Sequence, residues 1–246
     1  MLIVVVDSAT PAITAALATV GDTGVEILAE SVTVDSRAHG ELLAPAITAV
    51  LAEGGAAPRD LDAVVAGVGP GPFTGLRVGL VTAAALADSL NIPAYGVCTL
   101  DALGWAVGSG RVLVATDARR KEIYWAVYQD GVRLTGPSVN KPAELSASED
   151  NGLLPVGDPA SPDAAPVLGD GLVPDGINAA VGDGALRYAD VLGLSVLAEP
   201  RYPPAAGLAA LAAERVRTRM PSEPLTPLYL RRPDAVLPGA RKSALP

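Results

Sequence analysis

One short stretch of this chain occurs twice, and that limits the fold more than any other feature. Leu2-Ile-Val-Val-Val-Asp7 is echoed by Val112-Leu-Val-Ala-Thr-Asp117. At the same offset of 110, Ile13 meets Ile123, Ala16 meets Ala126 and Leu17 meets Val127. An apolar strand ending in Asp, a turn and a second strand therefore open each half of the chain. Self-similarity at this scale predicts two related units facing each other.

The first copy continues legibly. Leu2 to Val6 is an unbroken apolar run, as a central buried strand requires. Ala12 to Val20 and Val25 to Val34 read as two further strands around the turn Gly21-Asp22-Thr23-Gly24. A helix follows, with Asp35 or Ser36 as its cap and Leu42, Leu43, Ala46, Ile47, Val50 and Leu51 as its apolar stripe. Pro45 inside it predicts a kink or a late start. Leu61 to Val68 is a fourth strand. Thr74 caps the next helix, whose residues Leu76, Gly79, Leu80, Ala83, Ala87 and Leu90 form one stripe. Val78, Val81 and Ala85 form another. A helix apolar on two sides needs two covers, a sheet and either a neighbouring helix or another subunit. Ile92 to Val97 is a fifth strand, and a helix begins at Thr99.

The second half is less regular. Glu122 to Tyr128 and Val132 to Val139 form a hairpin around Asp130-Gly131. Residues 155–176 are rich in Pro, Gly and Asp and read as loop. Gly184 to Leu192 and Ala206 to Met220 read as helices, Leu225 to Leu230 as a short strand, and Leu237 to Pro246 as a loose tail. The expected organisation is an N-terminal unit over 1–104 and a degenerate second unit over 105–246 with a basic C-terminal stretch.

Composition narrows the function. Residues 1–105 hold 3 basic and 11 acidic residues, while 215–246 hold 7 basic and 2 acidic. An acidic first half repels phosphate backbones, so strong direct binding of nucleic acid by this chain alone is not expected. The C-terminal cations serve either as an RNA contact or as a solvated helix face and tail. A single cysteine, Cys98, excludes an internal disulfide and fits a reducing cytosol. No apolar run is read as a membrane span, and the expectation is a cytoplasmic chain with no membrane partner.

The parts of an active site are sparse. His39 is the one histidine, and no His or Cys cluster suggests a metal. Gly67-Val-Gly-Pro-Gly-Pro-Phe-Thr-Gly75 invites a phosphate-loop reading, but Pro70 and Pro72 each remove a backbone donor. A rigid turn starting the Thr74 helix fits better, with an anion site at that helix N-terminus left open. Asp7 and Asp117 end central strands, where they could hold a hydrated Mg²⁺ or satisfy the N–H groups of their own turns.

Gly69-Pro-Gly-Pro-Phe-Thr-Gly-Leu-Arg-Val-Gly79 resembles the signature of the TsaB (YeaZ) family. So do Val6-Asp7-Ser8-Ala9-Thr10, the stretch His39 to Pro45, Asn91 to Val97, Asp117-Ala-Arg-Arg-Lys-Glu-Ile-Tyr124 and Pro227-Leu-Tyr-Leu-Arg231. The resemblance is dense over 1–130 and thin over 140–225. It implies an α/β actin-like ATPase fold of duplicated βββαβα domains with mixed central sheets. It also implies a non-catalytic subunit of the machinery that forms threonylcarbamoyladenosine in tRNA, working with the catalytic paralogue TsaD and the ATPase TsaE, and reaching tRNA through that complex. The paralogue carries a metal-holding histidine pair in a Gly-Val-Asn-His-Leu-Glu-Gly-His pattern. Here Gly96-Val-Cys-Thr-Leu-Asp-Ala-Leu103 puts Thr99 and Leu103 in those places, and neither suits a transition metal. The resemblance further implies a partner face on the two helices, with His39, Leu43, Ile47, Thr74, Gly75, Arg77, Val78, Val81 and Ala85 as candidates, shared by a homodimer. Asp7, Ser8 and Thr10 are the candidates for a vestigial nucleotide site, and ATP or ADP could instead sit at the interface with TsaD. Two alternatives remain: an independent nucleotide-binding phosphotransferase or ATPase, and a hydrolase with a Ser or Thr nucleophile, for which His39 is the one base on offer.

Overall fold

The computed structural model describes residues 1–145, 176–177 and 179–231. Five strands come first: β1 (Leu2–Asp7), β2 (Ala12–Gly21), β3 (Gly24–Val34), β4 (Ala63–Gly67) and β5 (Ala94–Val97). They form a sheet of order β3-β2-β1-β4-β5. β1 to β3 are antiparallel neighbours, and β4 and β5 continue the sheet in parallel. The later strands β6 (Arg111–Asp117), β7 (Ile123–Gln129), β8 (Val132–Asn140), β9 (Ala179–Val181) and β10 (Ser195–Val196) repeat that plan in the order β8-β7-β6-β9-β10. The duplication expected from the repeat and the mixed sheets implied by the resemblance are both present.

The repeat is shifted by one residue where it matters most. Ile3 and Val5 pack in the apolar cluster under the C-terminal helix, and Val4 and Val6 pack toward the two helices of the first half. In β6 the parity is reversed. Val112 and Val114 lie on the inner side with Leu100 and Leu103, and Leu113 and Ala115 lie on the outer side with Ala185 and Leu192. A one-residue slip moves every side chain of a strand to the other face. By facing, Asp7 therefore corresponds to Thr116 and not to Asp117. Thr116 is buried, and its hydroxyl has no hydrogen-bond partner among the described residues.

Among the described residues six helices cover the sheets: α1 (His39–Glu53), α2 (Phe73–Leu90), α3 (Thr99–Val107), α4 (Asp183–Arg187), α5 (Ala189–Leu192) and α6 (Ala205–Arg217). α1 and α2 lie on the outer face of the first sheet, burying Leu43, Ile47, Leu76, Leu80 and Ala83. The inner faces are covered by exchange. α3 follows the first sheet but packs on β6, β7 and β8. α6 follows the second sheet but lies across all five strands of the first, burying Leu208, Ala209, Ala212 and Val216 against Ile3, Val5, Val65 and Tyr95. The two exchanged helices touch where a side chain at Gly207 would stand 2.8 Å from the Ala102 carbonyl, so only glycine permits the crossing. A division at residue 104 thus falls inside α3, because the chain connects the halves through helices that belong by packing to the opposite sheet.

Other expectations need correction. α1 begins at His39 with Ala38 in the capping position; Asp35 instead accepts the Arg37 N–H in its own turn. Pro45 neither delays nor stops the helix, and it sits on the exposed side. α2 begins at Phe73 directly after Pro72, so Thr74 lies inside it. The helix expected over Gly184 to Leu192 is broken at Tyr188 into α4 and α5. β9 and β10 are too short to show a pattern. Leu225 to Leu230 is no strand: Pro221, Pro224 and Pro227 deprive this segment of ladder donors. It runs instead as an irregular strap over the edge of the first sheet. Ser222 Oγ accepts the Ala94 N–H at 3.0 Å, and the Glu223 and Leu228 N–H groups donate to Ala94 and Val68 carbonyls. α2 also has the length and mean hydropathy of a membrane span (1.3 over 18 residues), contrary to the reading of the sequence, yet only 33% of it is buried. Its inward stripe packs on the sheet, and Arg77 and Asp88 stand on the other side. The loop expected over 155–176, apart from Gly176, and the tail 237–246 lie outside the described residues.

Truncation should separate the two kinds of position on α6. Leu208→Ala, at a fully buried site, is expected to cost about 2–5 kcal/mol by the transfer and cavity terms. Leu211→Ala, 38% exposed, should cost less than about 1 kcal/mol. Urea unfolding of both variants measures the difference.

Candidate functional site

The signature segment and the first turn form one welded unit. Asp7 ends β1 fully buried. Its Oδ1 accepts the Ala9 N–H at 2.9 Å, and its Oδ2 accepts the Thr99 hydroxyl at 2.7 Å. The same Thr99 oxygen accepts the Gly69 N–H at 3.1 Å, and the Thr99 N–H donates to the Gly69 carbonyl at 2.8 Å. Thr99 thereby joins the first residue of α3 to both β1 and the signature loop. Burial pushes the Asp7 carboxyl up to about 6, with the Thr99 and Ala9 hydrogen bonds and the His39 charge pulling the other way.

Four glycines in and before the signature are explained by contact with this turn. A Cβ at Gly67 would run into Asp7 Oδ2, and one at Gly71 into the Ala9 carbonyl. At Gly75 a Cβ would stand 2.8 Å from the Ser8 carbonyl, and Gly79 faces the Ser8 hydroxyl, which donates to the Gly75 carbonyl at 2.7 Å. The segment is a packing surface for the turn Asp7–Thr10. The side chains that would be tolerated in a phosphate loop of similar composition are excluded here by backbone proximity.

His39 is buried. Its Nε2 lies 2.9 Å from the Thr10 carbonyl, and a carbonyl can only accept, so Nε2 carries the proton. The imidazole therefore anchors α1 to the turn. A cavity of about 260 Å³ remains between Ser8, Thr10, Ser36, His39, Phe73, Thr74 and Arg119.

Asp117 serves a different structure. Its Oδ1 accepts the Arg119 N–H at 3.1 Å, as Asp7 does for Ala9, and its Oδ2 receives Arg187 from α4 at 3.2 Å. Asp183, whose carboxyl burial pushes up to about 6, accepts the Asp117 N–H at 3.2 Å. The two strand-end aspartates thus point to opposite faces of their sheets and do not form a facing pair. Among the described residues no three His, Cys, Asp or Glu side chains are grouped to hold a metal. Cys98 is buried with its thiol pushed up to about 12, chiefly by burial and then by Asp101, which matches an apolar packing role.

The nine candidate partner residues divide. His39, Leu43, Ile47 and Gly75 are buried within the chain, because α1 turns the first three, and α2 turns Gly75, toward the sheet and the Ser8 turn. They are unavailable to a partner. Thr74, Arg77, Val81 and Ala85 are exposed and Val78 is half-buried; Val81 is 67% exposed. A further cluster was not foreseen. Phe73 and Tyr229 stack with ring centroids 5.2 Å apart. The Arg77 guanidinium lies over Phe73 at 4.2 Å and donates to the Tyr229 hydroxyl at 3.0 Å. Two motifs 152 residues apart meet there, and no local pattern in either could have shown it.

The duplicated mixed sheets define a protein of the actin-like ATPase fold class. The family model described as TsaD, tRNA N6-adenosine threonylcarbamoyltransferase, matches residues 26–161. An uncharacterized protein of Mycobacterium tuberculosis is 44% identical over 95% of this chain and 93% of its own length. The tRNA threonylcarbamoyladenosine biosynthesis protein TsaB of Escherichia coli is 39% identical over 97 residues, 38% of this chain and 42% of that protein. A Pseudomonas aeruginosa crystal structure, of an uncharacterized protein with similarity to peptidase YeaZ, superposes with a TM-score of 0.69 at 27% identity. The match covers 94% of this chain and 99% of that one. Within its fold class the chain belongs to the TsaB (YeaZ) family.

The buried carboxyls give a pH signature. Asp7 binds its proton more tightly folded (about 6) than unfolded (3.8). Its contribution is most favourable below the unfolded value and is lost as pH rises through about 6. Keeping the charged form buried then costs on the order of 3 kcal/mol. Asp7→Asn should therefore gain stability relative to the parent as pH rises from 4 to 7, with Asp183 still contributing in the same direction. Urea midpoints of both proteins across that range test it, and parallel profiles would refute the assignment.

Proposed function

We propose that this chain is the non-catalytic scaffold or activating subunit of the cytoplasmic complex that forms threonylcarbamoyladenosine in tRNAs reading codons that start with adenine. It acts with TsaD and TsaE. Membership of the TsaB family supports the pathway. The observation that carries the non-catalytic part is Thr99. It stands where the catalytic paralogue carries its first metal-holding histidine, and its hydroxyl is committed to Asp7 and to Gly69. Leu103, in the second histidine's place, is fully buried among Val112, Tyr128 and Leu100. The chain fills with its own hydrogen bonds and side chains the space that a metal and its ligands would need.

The partner face in this reading is the outward side of α2, comprising Thr74, Arg77, Val81 and Ala85. An 18-residue helix of high mean hydropathy with two thirds of its length outside the core gains by burial against a second apolar surface. TsaD is the proposed occupant, and a second copy of this chain uses the same face in its absence. ATP or ADP belongs in this reading to the subunit interface. The cavity beside Ser8 and Thr10, at about 260 Å³, falls below the roughly 300–1,000 Å³ usual for small-molecule pockets.

Reconstituted tRNA threonylcarbamoylation, with purified TsaD and TsaE and with or without this chain, tests the proposal. Modification should depend on the chain, and equal rates without it would refute the role. Val81→Glu should weaken the TsaD complex at least about tenfold by burying an unpaired carboxylate, read by isothermal titration. An unchanged dissociation constant would move the interface elsewhere.

A further inference from the structure

The outer face of α2 carries two charges, Arg77 and Asp88, both exposed. Arg77 donates to the neutral Tyr229 hydroxyl and lies on the neutral Phe73 ring. Among the described residues no carboxylate pairs with Arg77 and no cation pairs with Asp88. Asp88 also stands in the last turn of the helix, where the dipole disfavours an anion. For the helix by itself this placement is unfavourable.

The spacing of the two charges gives them a common face. They are 11 positions apart, which is three turns plus about 20°, or roughly 16 Å along the axis. Between them stand Val81, Ala84 and Ala85, all exposed. The stripe thus reads cation, apolar middle, anion. Such a face is complementary to itself when turned about a two-fold axis. With the axis between Val81 and Ala84, Arg77 of each copy meets Asp88 of the other, and Val81 meets Ala84, a larger side chain opposite a small one. Each Asp88 then approaches the N-terminal half of the opposing helix, where an anion is favoured. A parallel pairing in register would set Arg77 against Arg77 and Asp88 against Asp88.

A second feature falls in the same register. At the Asp88 end a cavity of about 1110 Å³ opens between α2 and the proline-rich strap, lined by Val81, Asp88, Ile92, Met220 and Leu225 among others. At the other end stand the stacked Phe73 and Tyr229, 55% and 43% exposed. Antiparallel packing carries that stack to the cavity end of the opposing copy, with Phe73 level with Ile92. An exposed aromatic pair and an open recess are covered together, twice over. Tyr and Arg side chains are frequent anchors of protein interfaces.

We infer that Arg77 and Asp88 set the register in which a second copy of this chain docks on α2: antiparallel, with two reciprocal Arg77–Asp88 pairs and the Phe73–Tyr229 stack of each copy seated in the cavity of the other. The inference deepens the reading above, in which a second copy takes this face when TsaD is absent, and rests on it for the choice of face.

Sedimentation velocity of the full chain between about 1 and 100 µM tests it, with Arg77→Glu, Asp88→Arg and the double variant. The parent should dimerise. Each single variant sets like charges together at both pairs and should dimerise at least about tenfold more weakly. The double variant restores both pairs and should dimerise as the parent does. An equimolar mixture of the two single variants should recover the dimer as well, because every pair in the mixed dimer joins opposite charges. That recovery also shows both variants to be folded. A parent that stays monomeric, single variants that dimerise like the parent, or no recovery in either the double variant or the mixture would each overturn the inference. Co-elution with TsaD separates the two claims. A parent that joins TsaD but never self-associates refutes the register and leaves the function standing. One that dimerises in this register yet does not join TsaD refutes the function and leaves the register.

Discussion

The hydrogen bond from Thr99 to Asp7 is the joint around which this molecule is arranged. Asp7 closes the central strand of the first sheet, and Thr99 opens the helix that crosses to the second. A carboxylate buried this completely is costly unless both oxygens are engaged. Here one oxygen takes a backbone N–H of its own turn and the other takes the hydroxyl. The hydroxyl in turn accepts from Gly69, which brings in the signature loop. Strand, loop and crossing helix are thus fixed at one point, and the exchange of α3 and α6 between the sheets follows from where α3 is made to start.

Close approach around that joint accounts for the glycine spacing. Gly67, Gly71, Gly75 and Gly79 lie against atoms of the Asp7–Thr10 turn, while Gly69 takes a positive φ beside Leu76. The packing consumes the space and the donors that would otherwise serve a phosphate, and the two prolines have already removed others. A chain can in this way keep the fold and the outline of a nucleotide-binding loop while turning the loop into structure. The inner face of α2 is spent on that packing. Its outer face, apolar and uncovered, is what the fold leaves for a partner.

The second half diverges from the first by a single residue of register. The slip turns Asp117 away from the inner face and puts Thr116 there, with a hydroxyl that finds no partner among the described residues. It also frees the β6–β7 turn from the duty that the first turn performs. Where the first turn is packed tightly by glycines, the second projects cations. Two copies of one supersecondary unit have come to do different work, one as an internal anchor and the other as a surface.

Much of the architecture was legible in the chain alone. Apolar runs marked β1 and β6, turn residues such as Asp130-Gly131 marked the hairpins, and the two stripes of α2 showed that it needs two covers. The recurrence of a strand ending in Asp foretold the duplicated sheets. These signals are local, because strand and helix periodicities are written in consecutive residues. What the tertiary structure decided was everything that depends on which face a residue meets. Leu43 and Ile47 read as candidates for a partner but are spent on the sheet. The 104/105 division dissolves because packing, not sequence order, assigns α3 and α6. Arg77 and Tyr229 meet across 152 positions. The opening repeat shows the limit most clearly. Sequence by itself established that the unit occurs twice, but a period of two residues per strand repeat cannot distinguish a copy in register from one slipped by one. Only the packing of each face against its helices determines that Asp7 is an internal anchor and Asp117 is not.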